Sequence, residues 1–516
     1  MQKKCVLIIL DGWGIGRHDF SNPIYIAKPK VVEHIKNTYS AAALQASGIA
    51  VGLPWEEEGS SEVGHLTIGA GKVLYQHYPR ISMAVRSQEF YKNEVLLQAT
   101  KKTKDNQSTL HYVGLLSDEN SHASFEHLMA LMELAKREGV KKVNLHLFSD
   151  GSSKKPQALK GLLERVDNLI KEKGVGRVAT ICGRYYGMDQ DGHWDRTKRA
   201  YQTLMAREAT NTSFEAVLSD LYSQSRGEDL LPPYVFGPEA GPIRDGDAVV
   251  FFNFREDSIR QLASSFLLPN FDKFERKIFA DLFVATFTDY SDQFSAPVAF
   301  EQEGADNPLG KVLADAGKTQ MLIAETEKYA HVTYFFNGYR DEQFEGQFPV
   351  LIPSNNISRH ENSPEMKAEE IGNRVVQAIE DQSYDFILAN FANPDVVAHS
   401  GNFDATVKAI EAVDEQLEKI VKACEAVDMP LLITSDHGNA EAVLDPMTGE
   451  KQTKHDANPV PIYAVGSIFE GGGFQDKKPA VLGILSDVAP TVLELMGLEK
   501  PKEMTGKSLV HVLRGI

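Results

Sequence analysis

The chain has 516 residues, 42% hydrophobic and 24% charged, enough for two or more soluble domains with their own cores. A net charge of −18 argues against general nucleic-acid binding and obliges any anionic substrate to be met by a local cluster of Arg and Lys. The three cysteines, Cys5, Cys182 and Cys424, lie far apart, which suits a reducing compartment and offers neither a disulfide framework nor a thiolate metal site.

The N-terminal MQKKCVLIILDGWG begins with lysines and an apolar run, but the run is too short for a signal core and no small-residue cleavage site follows. No later segment has the ~18 uninterrupted apolar residues of a membrane span. A cytoplasmic protein with no membrane partner is the expectation. CVLIIL instead reads as a buried strand, with Asp11 just beyond its end. Next comes GSSEVGHLTIGAG, in which Ser60 and Ser61 read either as a turn and a helix cap or as the site of a nucleophile. Its glycines would let backbone approach a phosphate closely. A P-loop is excluded, because Gly64-HLTI-Gly69 is followed by Ala70, and Lys72 by Val73, so no nucleotide is expected.

Through the middle, residues 111–118, 143–151, 177–187 and 247–257 are further strand-like runs ending in polar or charged clusters. Towards the C-terminus, YDFILANF leads to Asp395 and MPLLITS to Asp436-His437, with an amphipathic helix over 405–423 between them. Strands alternating with helices predict an α/β fold, doubly wound and mainly parallel. The acids follow strands only near the two chain ends, so a second α/β domain is expected to be inserted into the first. The crossings are placed near Tyr75–Arg80 and Ala296–Asn307, giving a domain of 1–77 and 301–516 and an inserted one of 78–300. In a parallel sheet the carboxyl ends share one edge, where ligands bind. Asp11, Asp395 and Asp436 should therefore converge.

Asp395 and His399 are an i, i+4 pair that one helical turn puts on one face. Asp436 and His437 are adjacent, so their side chains are expected to diverge towards two different ions. His455 lies in the polar loop TKHDANPVP. Taken singly, Asp-His-Gly is a strand-end turn, DxxxH a chance spacing and His455 a surface histidine. Taken together, three carboxylates and three imidazoles suffice for two adjacent metal sites, and mixed O/N ligation suits Mn²⁺ or Zn²⁺ better than Ca²⁺. Two such ions clamp the attacking and leaving oxygens in phosphoryl transfer. A serine beside them can be activated without a histidine base.

The motifs LDGWG, SEVGHLTIGAG, GRYYGMDQD, AETEKYAHVT, NFANPDVVAHSGNFDATVKA, TSDHGNAE and the closing LSDVAPTVLELMGLEKPKEMTGKSL span nearly the whole chain. On them it resembles the cofactor-independent phosphoglycerate mutases of the alkaline phosphatase superfamily. The resemblance implies a phosphatase-like domain built from both chain ends, an inserted phosphotransferase domain and a phosphoserine intermediate. It also implies two Mn²⁺ ions, with Zn²⁺ or another divalent ion as substitute, and no 2,3-bisphosphoglycerate. The substrate would be a small phosphorylated acid, the reaction the interconversion of 3- and 2-phosphoglycerate, and the enzyme a monomer. By motif, Ser61 is the nucleophile and Ser60 replaces an asparagine. Asp395, His399 and His455 take one ion; Asp11, Ser61, Asp436 and His437 take the other.

On the substrate side the resemblance assigns His122, Arg184, Arg255, Glu327 and Lys328, with Lys328 meeting the phosphoryl group. Four positions depart from the family pattern: Ser152 and Ser153 replace Arg-Asp, Gln190 replaces an arginine in MDRD, and Ser258 replaces a second arginine after NFRED. A charge-assisted hydrogen bond contributes roughly 1.5–3 kcal/mol, so uncompensated loss of the arginines would weaken phosphoglycerate binding. Lys154, Lys155 and Arg260 either restore that charge or are solvated loop charges. The alternatives are a paralogous mutase for another small phosphorylated or phosphonate acid, a metal-dependent phosphatase, or a non-catalytic scaffold. The last is disfavoured by the intact metal set.

Overall fold

In a computed structural model of the chain, residues 3–151, 157–206, 208–237, 241–471 and 480–515 are described. Ser152, Ser153, Lys154 and Lys155 lie outside them. The chain divides into two compact units, Met1–Gln76 with Glu303–Ile516, and His77–Gln302. Strands among the described residues are numbered along the chain. They are β1 (Cys5–Leu10), β2 (Ser40–Gln45), β3 (Leu110–Leu116), β4 (Val143–Ser149), β5 (Arg177–Gly183), β6 (Tyr234–Val235) and β7 (Ala248–Phe251). They continue as β8 (Phe283–Thr286), β9 (Gln320–Glu325), β10 (Gln347–Ile352), β11 (Phe386–Phe391), β12 (Leu431–Thr434), β13 (Val460–Val465) and β14 (Val481–Ile484).

The first unit holds an eight-stranded sheet in the order β10-β9-β11-β1-β12-β13-β2-β14. Its centre is parallel, as uninterrupted apolar strands predict: such strands are buried on both faces. In β1, Cys5, Leu7 and Ile9 enter the core on one side, and Val6, Ile8 and Leu10 the core on the other. Register is level across the centre, with Leu10 opposite Phe391 and Ile9 opposite Thr434. The chain therefore leaves β11, β1 and β12 at one edge. The helix Phe403–Val427, longer at both ends than its amphipathic core at 405–423, packs Ile410, Val413, Leu417 and Ile420 onto one sheet face.

β13 departs from the parallel pattern, running antiparallel to both β12 and β2. No helix intervenes between β12 and β13. Without a crossover the chain must return antiparallel, so the loop joining them begins and ends at the same sheet edge. That topology brings His455, just before β13, back to Asp436 and His437, just after β12.

The second unit has a six-stranded sheet, β6-β5-β4-β3-β7-β8, parallel except for the short β6. Its carboxyl edge carries Ser117, Asp150, Arg184 and Phe254 just beyond β3, β4, β5 and β7. Ile8→Ala, in a strand buried on both faces, should destabilise the first unit by about 2–5 kcal/mol, read as a fall in its chemical-denaturation midpoint.

Candidate functional site

Asp11 extends the β1–β11 ladder by one bond, its N–H to Phe391 O at 3.1 Å, before the chain turns at Gly12. Gly12 has φ +70, and a Cβ there would lie 2.8 Å from Asp395 Cβ, so the turn admits only glycine. Asp395 itself sits in the short helix Asn393–Ala398 that follows β11. Ser61 opens the helix Ser61–Ala70, where the N-terminal dipole favours an approaching anion. Ser60 occupies the cap position without capping; its hydroxyl bonds Glu62 Oε2 at 3.0 Å.

These segments bring the sequence-predicted metal set together. Asp395 Oδ1 lies 3.3 Å from His399 Nε2 and 3.4 Å from His455 Nε2, and the two Nε2 atoms are 3.1 Å apart. Ser61 Oγ is 2.7 Å from His437 Nε2 and 3.2 Å from Asp11 Oδ1. Lys328 Nζ, 5% exposed, reaches Ser61 Oγ at 2.6 Å, Asp11 Oδ1 at 2.6 Å and Asp395 Oδ2 at 2.7 Å.

The donor set fits divalent metal. His399 Nδ1 and His455 Nδ1 each lie 2.8 Å from a backbone carbonyl, of Thr453 and Gly59. A carbonyl only accepts, so both protons sit on Nδ1, and the neutral rings present Nε2 lone pairs towards each other and towards Asp395. Three acceptors facing one another call for a cation, and outer hydrogen bonds of this kind orient metal-binding histidines. Asp436 Oδ2 is a second such atom, fully buried with no hydrogen-bond partner. His65 Nδ1, 3.1 Å away, turns to Ser61 O at 2.9 Å instead.

Electrostatics bind these groups to one another. Burial, the largest single influence, would raise the Asp11 and Asp395 carboxyls, but the Lys328 ammonium and the His437 ring together outweigh it and hold both well below the usual carboxylate range. Burial would lower His437, yet the carboxylates of Asp436, Asp395 and Asp11 push it up to about 10. Lys328 is likewise kept charged against its burial by Asp11, Asp395 and Asp436.

One expectation is corrected. Asp436 and His437 do not diverge: Asp436 Oδ1 bonds Gly12 N at 3.2 Å and its own neighbour's N–H at 3.1 Å, which bends the loop. His437 Nε2 then lies 3.5 Å from Asp436 Oδ2 and also 3.5 Å from Asp11 Oδ1. The glycines of GHLTIGAG also serve another purpose. A Cβ on Gly64 would strike the carbonyl of Asp436, and one on Gly69 that of Phe336, so they seat the helix against neighbouring backbone.

Sequence reasoning missed His65, Asn390 and Glu441. His65 is one turn beyond Ser61 and groups with Asp11 and Asp436 as ligand-capable side chains. Asn390 donates to Asp11 Oδ2 at 2.7 Å and to His65 Nε2 at 3.0 Å. The i, i+4 spacing of Ser61 and His65 was the available signal.

Of the substrate-side residues, Glu327 is exposed, 3.4 Å from His360. In the second unit, Arg184 joins Asp150 Oδ1 at 2.6 Å and His122 Nε2 at 3.0 Å, and His122 Nδ1 meets Ser258 Oγ at 3.0 Å. Asn120, two residues before His122, has φ +54. Arg255 pairs with Asp257 at 3.0 Å and Gln190 is exposed. Arg260 directs Nε to Tyr290 O at 2.5 Å, a main-chain anchor for that side chain.

The model of the metalloenzyme superfamily matches residues 3–500. A 2,3-bisphosphoglycerate-independent phosphoglycerate mutase of Pseudomonas entomophila is 43% identical over 515 residues, covering 98% of each chain. Phosphoglycerate mutase 1 of this type from Methanosarcina acetivorans is also 43% identical, covering 99% of each. A crystal structure of Leishmania mexicana phosphoglycerate mutase, at low cobalt concentration, superposes with a TM-score of 0.58 at 26% identity over 98% of this chain and 97% of that one. The fold is accordingly alkaline-phosphatase-like α/β. On this end-to-end agreement, the chain belongs to the 2,3-bisphosphoglycerate-independent phosphoglycerate mutases of the metalloenzyme superfamily.

Proposed function

We propose that this metal-dependent mutase interconverts 3- and 2-phosphoglycerate through a phosphoserine at Ser61. The observation that carries the reading is the seat of Ser61 Oγ, within 3.2 Å of Asp11, His437 and Lys328 together. Two ions are proposed, one held by Asp395, His399 and His455, the other by Asp11, Ser61, Asp436 and His437. Mn²⁺ is the favoured metal on the mixed O/N ligation. Such ions supply charge neutralisation at the phosphoryl group and a lowered pKa for the serine hydroxyl.

The chain's own groups do the rest. Ser61 Oγ attacks phosphorus in line, its O–P bond forming as the bond to the substrate's alcohol oxygen breaks. The proton lost by Ser61 ends on that alcohol. The other hydroxyl of the retained glycerate then takes the phosphoryl group back, and its proton returns to Ser61. Lys328, fixed 2.6 Å from Oγ, offers its N–H groups to the phosphoryl oxygens as charge shifts. His122, Arg184 and Arg255 are assigned to the substrate's carboxylate and phosphate, supported by the Arg184–His122–Ser258 chain at the carboxyl edge of the second sheet. Glu327 is assigned alongside Lys328. No helix among the described residues is long and apolar enough to cross a membrane; a cytoplasmic placement and a monomer are proposed.

Mn²⁺-loaded protein given 3-phosphoglycerate should develop the phosphorus NMR signal of 2-phosphoglycerate, and Ser61→Ala should leave the spectrum flat. Free phosphate in place of the isomer would sink the mutase reading. Arg184→Ala should raise KM for phosphoglycerate by roughly 10- to 100-fold, the loss of one charge-assisted contact, in steady-state kinetics. His437, pushed up to about 10 by the carboxylates around it, carries a proton near neutrality before metal enters. Mn²⁺ uptake by metal-stripped protein should therefore release protons, and affinity should climb with pH, as followed by calorimetry in buffers of different ionisation enthalpy.

A further inference from the structure

Glu441 closes the motif TSDHGNAE and is 2% exposed, yet it lies outside the proposed ligand set. Its carboxyl is saturated from two loops, the one after β1 and both ends of the one joining β12 to β13. Oε2 accepts from Gly14 N at 2.8 Å and from Asn439 N at 2.9 Å. Oε1 accepts from Asn458 Nδ2 at 3.1 Å, and the Asp456 carboxyl lies beside it. Gly14 lies three residues beyond Asp11 and Asn439 two beyond His437, while Asp456 adjoins His455. Asn439 in turn donates to Asp395 Oδ1 at 2.8 Å.

The surrounding glycines are shaped to this side chain. A Cβ on Gly14 would strike Glu441 Oε1, and one on Gly16 would lie 2.7 Å from Glu441 Cγ. A Cβ on Gly438 would strike both Glu441 Oε1 and Asp456 Oδ1. A buried carboxyl that demands glycine on two separate loops is expensive to keep for packing alone, since an apolar side chain of similar volume would fill the space without polar partners to satisfy.

We propose that Glu441 is a positioning residue for the metal centre, a tie that holds the loops carrying Asp11, His437 and His455 in a single ligand geometry. The inference rests on the ligand assignment above. Glu441 touches neither nucleophile nor substrate and acts through the residues it anchors, as outer hydrogen-bond partners do in other metal sites, where their loss typically weakens binding 10- to 100-fold.

The test is Mn²⁺ affinity of the metal-stripped full chain by calorimetry, with the metal-free thermal midpoint measured alongside. Glu441→Ala should bind Mn²⁺ roughly 10- to 100-fold more weakly. Glu441→Gln should bind Mn²⁺ with an affinity between those of alanine and the parent, because its amide oxygen can still accept from Gly14 and Asn439 while its NH2 group cannot accept from Asn458. Should Glu441→Ala not fold, Glu441→Asp, with the same carboxyl on a shorter arm, should show the same weakening. An alanine or aspartate variant that binds Mn²⁺ as tightly as the parent overturns the proposal, and so does a folded Glu441→Gln no tighter than alanine. Asp395→Ala serves as the separate control: unchanged Mn²⁺ affinity there would mean that the ligand assignment, rather than the tie, is at fault.

Discussion

Burial of three carboxylates at one sheet edge is the constraint on which the rest of the first unit depends. Asp11, Asp395 and Asp436 are each at most 2% exposed. Anions so far from water survive only with positive charge beside them. Lys328 and His437 supply it from within the chain, and each is held in its charged form by the acids it faces. In a protein of net charge −18, this is a small region where cationic and anionic groups nearly balance. The proposed chemistry exploits that balance, because a phosphoryl group enters as one more anion among cations already fixed in place.

The sheet supplies the precision. Level register across β11, β1 and β12 puts the acids at one height, and the antiparallel return of β13 adds a histidine from the same edge. Ser61 arrives by a different route, on the first turn of a helix whose Gly64 and Gly69 let it lie against the backbone of Asp436 and Phe336. Close helix-to-loop packing fixes Ser61 with little freedom to drift, which the in-line attack proposed for it requires. In the second unit, Ser258 keeps a place in the hydrogen-bonded chain through His122 to Arg184, so its short side chain still has a defined polar partner.

Much of this was legible from the amino-acid order. Apolar runs ending in acids disclosed the parallel sheet and its functional edge, since strands buried on both faces leave no other pattern. The i, i+4 spacing of Asp395 and His399 survived translation into structure because one helical turn dictates it. What escaped was set by contacts between distant segments. Whether Asp436 and His437 converge depends on a hydrogen bond to Gly12, more than four hundred positions away. Asn390 looks like a strand residue until Asp11 and His65 are placed beside it. The glycines of GHLTIGAG are indistinguishable in sequence from a phosphate cradle, because both uses need only a missing Cβ.

The loop joining β12 to β13 carries a quieter consequence. Between its two functional ends the chain is pinched shut: Gln452 N bonds Val443 O at 2.8 Å, and Leu444 bridges to Lys451. Beyond that pinch lies a small turn closed by Gly449 N to Asp445 O at 2.8 Å, with Met447 93% exposed at its tip. Anchoring and length are thereby uncoupled. The tip can lengthen, shorten or accept a fluorophore or an epitope while the histidines on either side keep their places, which makes it a natural handle for watching the centre without disturbing it.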